Sequence, residues 1–300
     1  MKELAYYKKI QVISNNISKS QTGRGRKVFT LESYKSISQR DILEMEKSAY
    51  NVVSYKKDCD SINVVKEAKK LFLEEIKTAR DNHTTMSNLE SKLQNYIVKF
   101  DIYKNHWVKK ISQISNQEKQ KKFKKLFDDT THVAFDSSIG FALACCFRDY
   151  LIHGSNLIEY INTSMNAVHV LASRDKLLND WEWNQTKTKL ITSQPELIDL
   201  ETVVVDSFEA LSDIHEELIN IRTADIIGDC KFLLMQYEKI HVPEKDYLCW
   251  FIMEKNNYED EKSGEFNSHS LHIGKKLNMK MLELKWHDYK IILEYWKRIH

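Results

Sequence analysis

Apolar residues recur at steps of three and four along most of this chain, the period of helices that bury one face. The longest regular stripe is Leu89, Leu93, Tyr96/Ile97, Phe100, Tyr103, Trp107 and Ile111. It predicts a helix of about six turns packed lengthwise against a partner. Ile62, Val65, Ala68, Leu71/Phe72 and Ile76 predict a helix over 61–79 with Ser61 as its N-cap, and a further helix is expected over 38–55. Leu200, Val203/Val204, Ser207/Phe208, Leu211, Ile214 and Leu218 give another helical face over 197–221, followed by a separate helix over 224–240 that Pro243 ends. Between these lies 135–154, FDSSIGFALACCFRDYLIHG, in which Phe135, Ile139, Ala142, Cys146 and Tyr150 share one face of a buried helix.

The remaining stretches are shorter or polar. Leu4, Tyr7, Ile10, Ile13 and Ile17 stand at helical spacing and predict a short amphipathic element within 1–20. Polar breaks fall at 81–87 and 258–270, and Pro195 marks a boundary. Ala167–Ala172 is partly β-like, and Ser173 is placed to cap a helix over 174–181. A C-terminal segment, 276–299, rich in Trp, Tyr, Leu and Ile, suits a helix docked on the body. The fold class expected is all-α with at most a small β element.

Composition supports that class. Glycine occurs 7 times and proline twice in 300 residues, against average usage of roughly 7% and 5%. No apolar run approaches the ~18 residues of a membrane span, and the start lacks the pattern of a secretory signal. Five cysteines without regular spacing fit reduced thiols and a cytoplasmic location. Charge is unevenly spread: residues 1–125 hold 27 Lys and Arg against 14 Asp and Glu, a balance of +13, whereas 126–300 hold 18 against 29, a balance of −11. Such a basic half can attract a polyanion or complement the acidic half.

Two basic segments are candidates for RNA-backbone contact. One is the glycine-rich 20–27, with Arg24, Arg26 and Lys27; the other is the lysine run 116–125, with Lys121, Lys122, Lys124 and Lys125. Each also suits an ordinary solvated surface. The first is no phosphate-binding loop, because it lacks a preceding strand and the Gly-Lys-Ser/Thr ending. Asp213-Ile-His215-Glu-Glu217 lacks the second histidine of a zinc helix and reads as an exposed helix face. Cys145 and Cys146 have no CxxC partner and suit small buried hydrophobes. Neither a Gly-x-Ser-x-Gly elbow nor a dinucleotide fingerprint occurs.

What remains is Arg148-Asp149-Tyr-Leu-Ile-His153, closing the apolar helix and followed by Gly154. Charged side chains at the end of a buried helix are either paired or at work. Arginine, a polar residue, three more residues and histidine resemble the motif of the HEPN superfamily of helical ribonucleases. The flanking order is also similar to that of its abortive-infection members: a long helix like 89–111 before the motif, then a short extended segment like 167–172 and a helix like 197–220.

The resemblance covers about residues 86–222 and implies a HEPN-like helical core there. Residues 1–85 would form a basic N-terminal extension and 223–300 a C-terminal helical extension. It implies a metal-independent endoribonuclease without a cofactor, acting on an RNA substrate as a toxin or anti-phage effector. The active site would be assembled in a homodimer, with room for a regulatory or antitoxin protein. His153 would be the general acid/base, Arg148 the phosphate clamp and Asp149 the orienting group, chemistry that suits these side chains. Ser155 stands where some HEPN toxins carry a tyrosine that is adenylylated, so control by that route is not expected. Tyr150 suits packing more than base stacking. The alternatives are a non-catalytic helical module that dimerises or binds a nucleotide or partner protein, and an RNA-binding platform without cleavage.

Overall fold

The computed structural model describes residues 6–12, 29–36, 39–80, 85–152, 156–163, 168–240 and 249–253. The described chain is mainly helical, as expected, with two small three-stranded sheets. It divides into two compact units, one of residues 57–221 and one of residues 1–56 with 222–300. Arg24, Arg26, Lys27, His153, Gly154, Ser155, Pro243 and the segments expected over 258–270 and 276–299 lie outside the described residues.

In the unit containing both termini, β1 (Tyr6–Val12) pairs antiparallel with β2 (Phe29–Ser36), with a register shift between Lys8 and Ile10. On its other edge β1 pairs with a strand over Cys249–Met253. The helical spacing read in residues 1–20 is therefore overruled over 6–12. Tyr6, Tyr7, Ile10 and Val12 are residue types that favour strands, and partners on both edges supply the backbone hydrogen bonds. The helix expected over 38–55 is α1 (Gln39–Asp60). Ser48 Oγ and Asn51 Nδ2 both donate to the carboxylate of Asp229, at 2.7 and 2.9 Å, and the Tyr55 and Thr223 hydroxyls meet at 2.7 Å.

The unit over 57–221 carries the long apolar stripe. α2 (Asn63–Arg80) packs along α3 (Met86–Ser112), and Thr85 caps α3 by accepting from the Asn88 amide. All eight stripe positions from Leu89 to Ile111 are buried. Ser61 does not cap α2. Its hydroxyl donates back to the Asp58 carbonyl at 2.6 Å, closing the end of α1, and the Ile62 carbonyl takes the first helical bonds of α2.

The run at 135–154 is two helices rather than one. α4 (Gln117–Ser137) starts at the Asn116 cap, and α5 spans Ile139–Ile152. Ser138 serves both: its N–H donates to the Ala134 carbonyl and its hydroxyl accepts from the Phe141 amide. The break resets the helical phase, so Ile139 is 59% exposed and Phe135 only half-buried, while Ala142, Cys146 and Tyr150 are buried as expected. Phe141, Leu143 and Phe147 are buried too, which makes α5 apolar almost all round.

After α5, β3 (Tyr160–Thr163), β4 (Val168–Ser173) and β5 (Leu197–Asp199) form an antiparallel sheet in the order β3-β4-β5. Val168, Val170 and Ala172 alternate inward along β4, which fits the β-like reading of that stretch. Ser173 caps α6 (Arg174–Asp180), as expected, and Asn184 caps α7 (Gln185–Thr192). The helix expected from Leu197 begins later, at Leu200, because 197–199 pairs with β4. It then continues unbroken as α8 (Leu200–Ile240), 41 residues covering both of the helices expected there. Arg222 and Thr223 carry no helix breaker, so nothing local forces an interruption.

Two contacts fix α5, and a third ties together the helices it packs against. Phe100 of α3 meets Phe141 edge-on, with ring centroids 5.2 Å apart. Tyr96 of α3 donates to the Val204 carbonyl and meets the Ser207 hydroxyl at 2.8 Å, tying α3 to α8. At Gly140, a Cβ would stand 2.6 Å from Asp206 Cβ and 3.1 Å from the Val203 carbonyl oxygen, so α5 approaches α8 closer than any side chain allows. Gly140→Ala is expected to cost about 1–3 kcal/mol through overpacking. Urea unfolding of the variant should show a lower midpoint with an unchanged slope.

Candidate functional site

The end of α5 delivers Arg148 and Asp149 to the edge of the unit. Arg148 keeps 40% of its side chain exposed, whereas Phe147 and Tyr150 on either side of the pair are buried. Its NH1 donates to Asp149 Oδ1 at 3.0 Å. Its Nε lies 3.2 Å from Asp101 Oδ1 on α3, close enough for a charge pair, although the N–H is not aligned for a hydrogen bond. Asp149 Oδ2 accepts from Lys187 Nζ of α7. The result is a chain, Asp101–Arg148–Asp149–Lys187, with two cations, two carboxylates and no net charge.

Asp149 and Arg148 are each held ionised by their neighbours. Burial alone pushes the Asp149 carboxyl up, but hydrogen bonds and charge from Lys187 and Arg148 outweigh it and leave it below the ordinary carboxylate value. The hydrogen bond to Asp149 raises the Arg148 guanidinium further, with Asp101 adding to it against partial burial.

α7 is pinned where Lys187 departs. The Trp183 indole N–H donates to the Leu177 carbonyl at 2.7 Å, and its ring stacks on Tyr150 at a centroid distance of 6.3 Å. Tyr150 in turn donates to Asp180 at 3.0 Å. Tyr150 is thus a packing residue, in line with the sequence.

The chain beyond the motif is held by α3. The Glu90 carboxylate is buried and accepts from the Leu157 and Ile158 amides at 3.0 and 2.8 Å. Ile152 is the last residue of α5, and His153 follows it directly in sequence.

No family model, no curated protein and no solved structure matches the chain.

The other candidates fall into place as follows. Lys121, Lys122, Lys124 and Lys125 are exposed on α4, on the side away from buried Phe123 and Phe127. Among the described residues, no ion pair or hydrogen bond joins them to Arg148. Cys146 is buried, and burial pushes its thiol up to about 12, so it is not a nucleophile near neutrality. Cys145 is half-buried with Lys104 Nζ at 3.3 Å.

Within 213–217 the exposed face is made by Asp213, Glu216 and Glu217, but His215 is turned inward. Its Nδ1 meets the Tyr103 hydroxyl at 2.9 Å, and burial lowers its pKa. The expectation of an exposed face is corrected there, because position 215 follows buried Ile214 and flanks the α3 stripe. Nearby, fully buried Asp58 pairs with His106 and Lys110, each at 3.3 Å. Among the described residues, no group of three or more His, Cys, Asp or Glu could hold a metal ion, and no helix is long and apolar enough to cross a membrane.

Asp101, Lys187 and Glu90 were not singled out in the sequence. Asp101 and Lys187 lie 47 and 39 positions from Arg148, and no local pattern links them. Glu90 did carry a signal: it is a charge on the buried edge of the stripe, beside Leu89 and one turn before Leu93.

The pH response of the network follows from the Asp149 shift. A carboxyl whose folded pKa is depressed contributes stability fully above its unfolded value, about 3.9. That contribution is lost as pH falls through the folded value. The stability difference between the protein and its Asp149→Asn variant should be constant from about pH 5 to 7 and shrink below about pH 4. Denaturant titrations at a series of pH values measure it, and a difference that grows on acidification would contradict the assignment.

Proposed function

We propose that this protein is a metal-independent endoribonuclease of HEPN type, an RNA-cleaving toxin or defence effector acting as a homodimer in the cytoplasm. One observation carries the reading: a guanidinium stands half-exposed near the end of a mostly buried helix, positioned by carboxylates from two helices. Keeping charges there costs desolvation that a plain apolar helix end would avoid. Such positioned cations serve where negative charge builds up during a reaction.

The chemistry uses groups available near neutrality. His153 takes the proton from a ribose 2′-hydroxyl, whose oxygen attacks the adjacent phosphorus. The 5′-oxygen departs and receives that proton back from the His153 imidazolium, leaving a 2′,3′-cyclic phosphate and a 5′-hydroxyl end. Arg148 neutralises the non-bridging oxygens as charge accumulates on them. Asp149 and Asp101 orient Arg148. Lys121, Lys122, Lys124 and Lys125, with Arg24, Arg26 and Lys27, supply positive charge for the RNA backbone.

A second reading is favoured by the neutrality of the network. A guanidinium paired with two carboxylates is also what a structural or partner-binding element would contain, and the protein would then be a non-catalytic helical module.

Purified protein incubated with tRNA, mRNA and rRNA in the presence of a chelator separates the two. The nuclease reading expects cyclic-phosphate ends, lost by at least about a hundredfold in Arg148→Ala and in His153→Ala. Their helical content should be unchanged. Full cleavage by His153→Ala would sink the mechanism. Intact RNA, together with an altered oligomeric state in Arg148→Ala, would select the helical module.

A further inference from the structure

Asp149 gives one carboxylate oxygen to Arg148 and the other to Lys187, so cations from two different elements converge on a single small anion. A carboxylate and the two non-bridging oxygens of a phosphodiester present the same two-pronged, singly charged face. Arginine pairs with either through its fork, and lysine serves as a point charge beside it. We propose that Arg148 and Lys187 together form the seat for one RNA phosphodiester, and that the Asp149 side chain fills this seat in the free protein as an internal stand-in for the substrate. The proposal rests on the RNA-cleaving reading and adds to it a second phosphate-binding cation, from α7, and a competitor for the seat.

The surroundings suit such an exchange. Asp101 pairs by charge with Arg148 beside Nε, a different nitrogen from the one Asp149 uses, so the guanidinium keeps one ion pair when Asp149 swings away. The Trp183–Tyr150 stack and the Asn184 cap fix the start of α7, so Lys187 extends from a rigid base. Asp149 keeps 28% of its side chain exposed and sits in the last turn of α5, so solvent reaches the carboxylate. With Asp149 in place the four groups sum to zero charge. Once it is replaced by a neutral residue they sum to +1, and the seat holds two cations against one carboxylate.

The test uses the full-length protein and a short fluorescent single-stranded oligonucleotide with 2′-O-methyl riboses, which lacks the nucleophile and cannot be cut. Binding is followed by anisotropy over a range of salt concentrations. Asp149→Asn should bind roughly three- to tenfold tighter than the unaltered protein. Lys187→Gln should bind several-fold more weakly, with a plot of log K against log salt shallower by about 0.7. Lys187→Arg should retain binding. Lys176→Gln removes a comparably part-buried lysine of α6 that pairs with Glu159, and it should leave binding unchanged.

Equal or weaker binding by a folded Asp149→Asn protein would overturn the proposal. So would a Lys187→Gln protein no different from Lys176→Gln. In the unaltered protein, bound oligonucleotide should shield Lys187 but not Lys176 from an amine-reactive label read by peptide mass, and equal labelling with and without it would also overturn the seat. The two readings fail separately. Binding changes as expected with no cleavage of ordinary RNA would keep the seat and remove the nuclease. Cleavage that depends on Arg148 but not on Lys187 would keep the nuclease and remove the seat.

Discussion

The close approach of α5 to α8 at Gly140 is the constraint on which the helical unit over 57–221 rests. With no Cβ at that position, the first turn of α5 sits against the Val203 carbonyl and Asp206, and the apolar side chains that follow fill the space towards α3. A helix gripped this near its start has little freedom in where its far end emerges. That end is where Arg148 and Asp149 stand. The geometry of the charged cluster is therefore set about two turns away, by a contact made of backbone and a missing methyl group.

Much of this was legible in the residues. The α3 stripe was, because eight apolar positions at steady spacing leave one way to bury them. So was the cap at Ser173, where a hydroxyl, a first-turn acid and an apolar pattern agree. Three features were hidden. The break at Ser138 escaped because the apolar spacing runs across it, although the Asp136-Ser137-Ser138 sequence is rich in capping types. β1 was hidden because strand pairing depends on partners far along the chain, and apolar residues at 4, 7, 10, 13 and 17 satisfy a helix as well. The continuity of α8 was hidden because a polar stretch near 222 looks like a boundary when its neighbours are unknown. At the candidate site, Arg148 and Asp149 announced themselves as charges in an apolar run. Asp101 and Lys187 did not, since their role comes from position in space alone.

The charge imbalance along the sequence illustrates the same point at larger scale. Residues 1–125 are strongly basic, yet the group from that half that meets Arg148 is an aspartate. The later half is acidic, yet it supplies both cations of the network. Net charge describes how a surface looks to a distant polyanion and governs encounter; pairing at contact distance is decided residue by residue. Exposed Lys121, Lys122, Lys124 and Lys125 belong to the first kind of effect and the Arg148 network to the second.

α3 combines packing with placement. Glu90 receives the chain that follows the motif, and Asp101, about three whole turns further on, receives the guanidinium of the motif itself. Both tasks fall on nearly the same side of one rod, so the distance between them is counted in residues. One residue added or removed between 90 and 101 would rotate the second partner by about 100° relative to the first. No side-chain adjustment could then serve both. That interval should accept substitution more readily than any change of length, and α3 acts as the ruler against which the two ends of the motif are set.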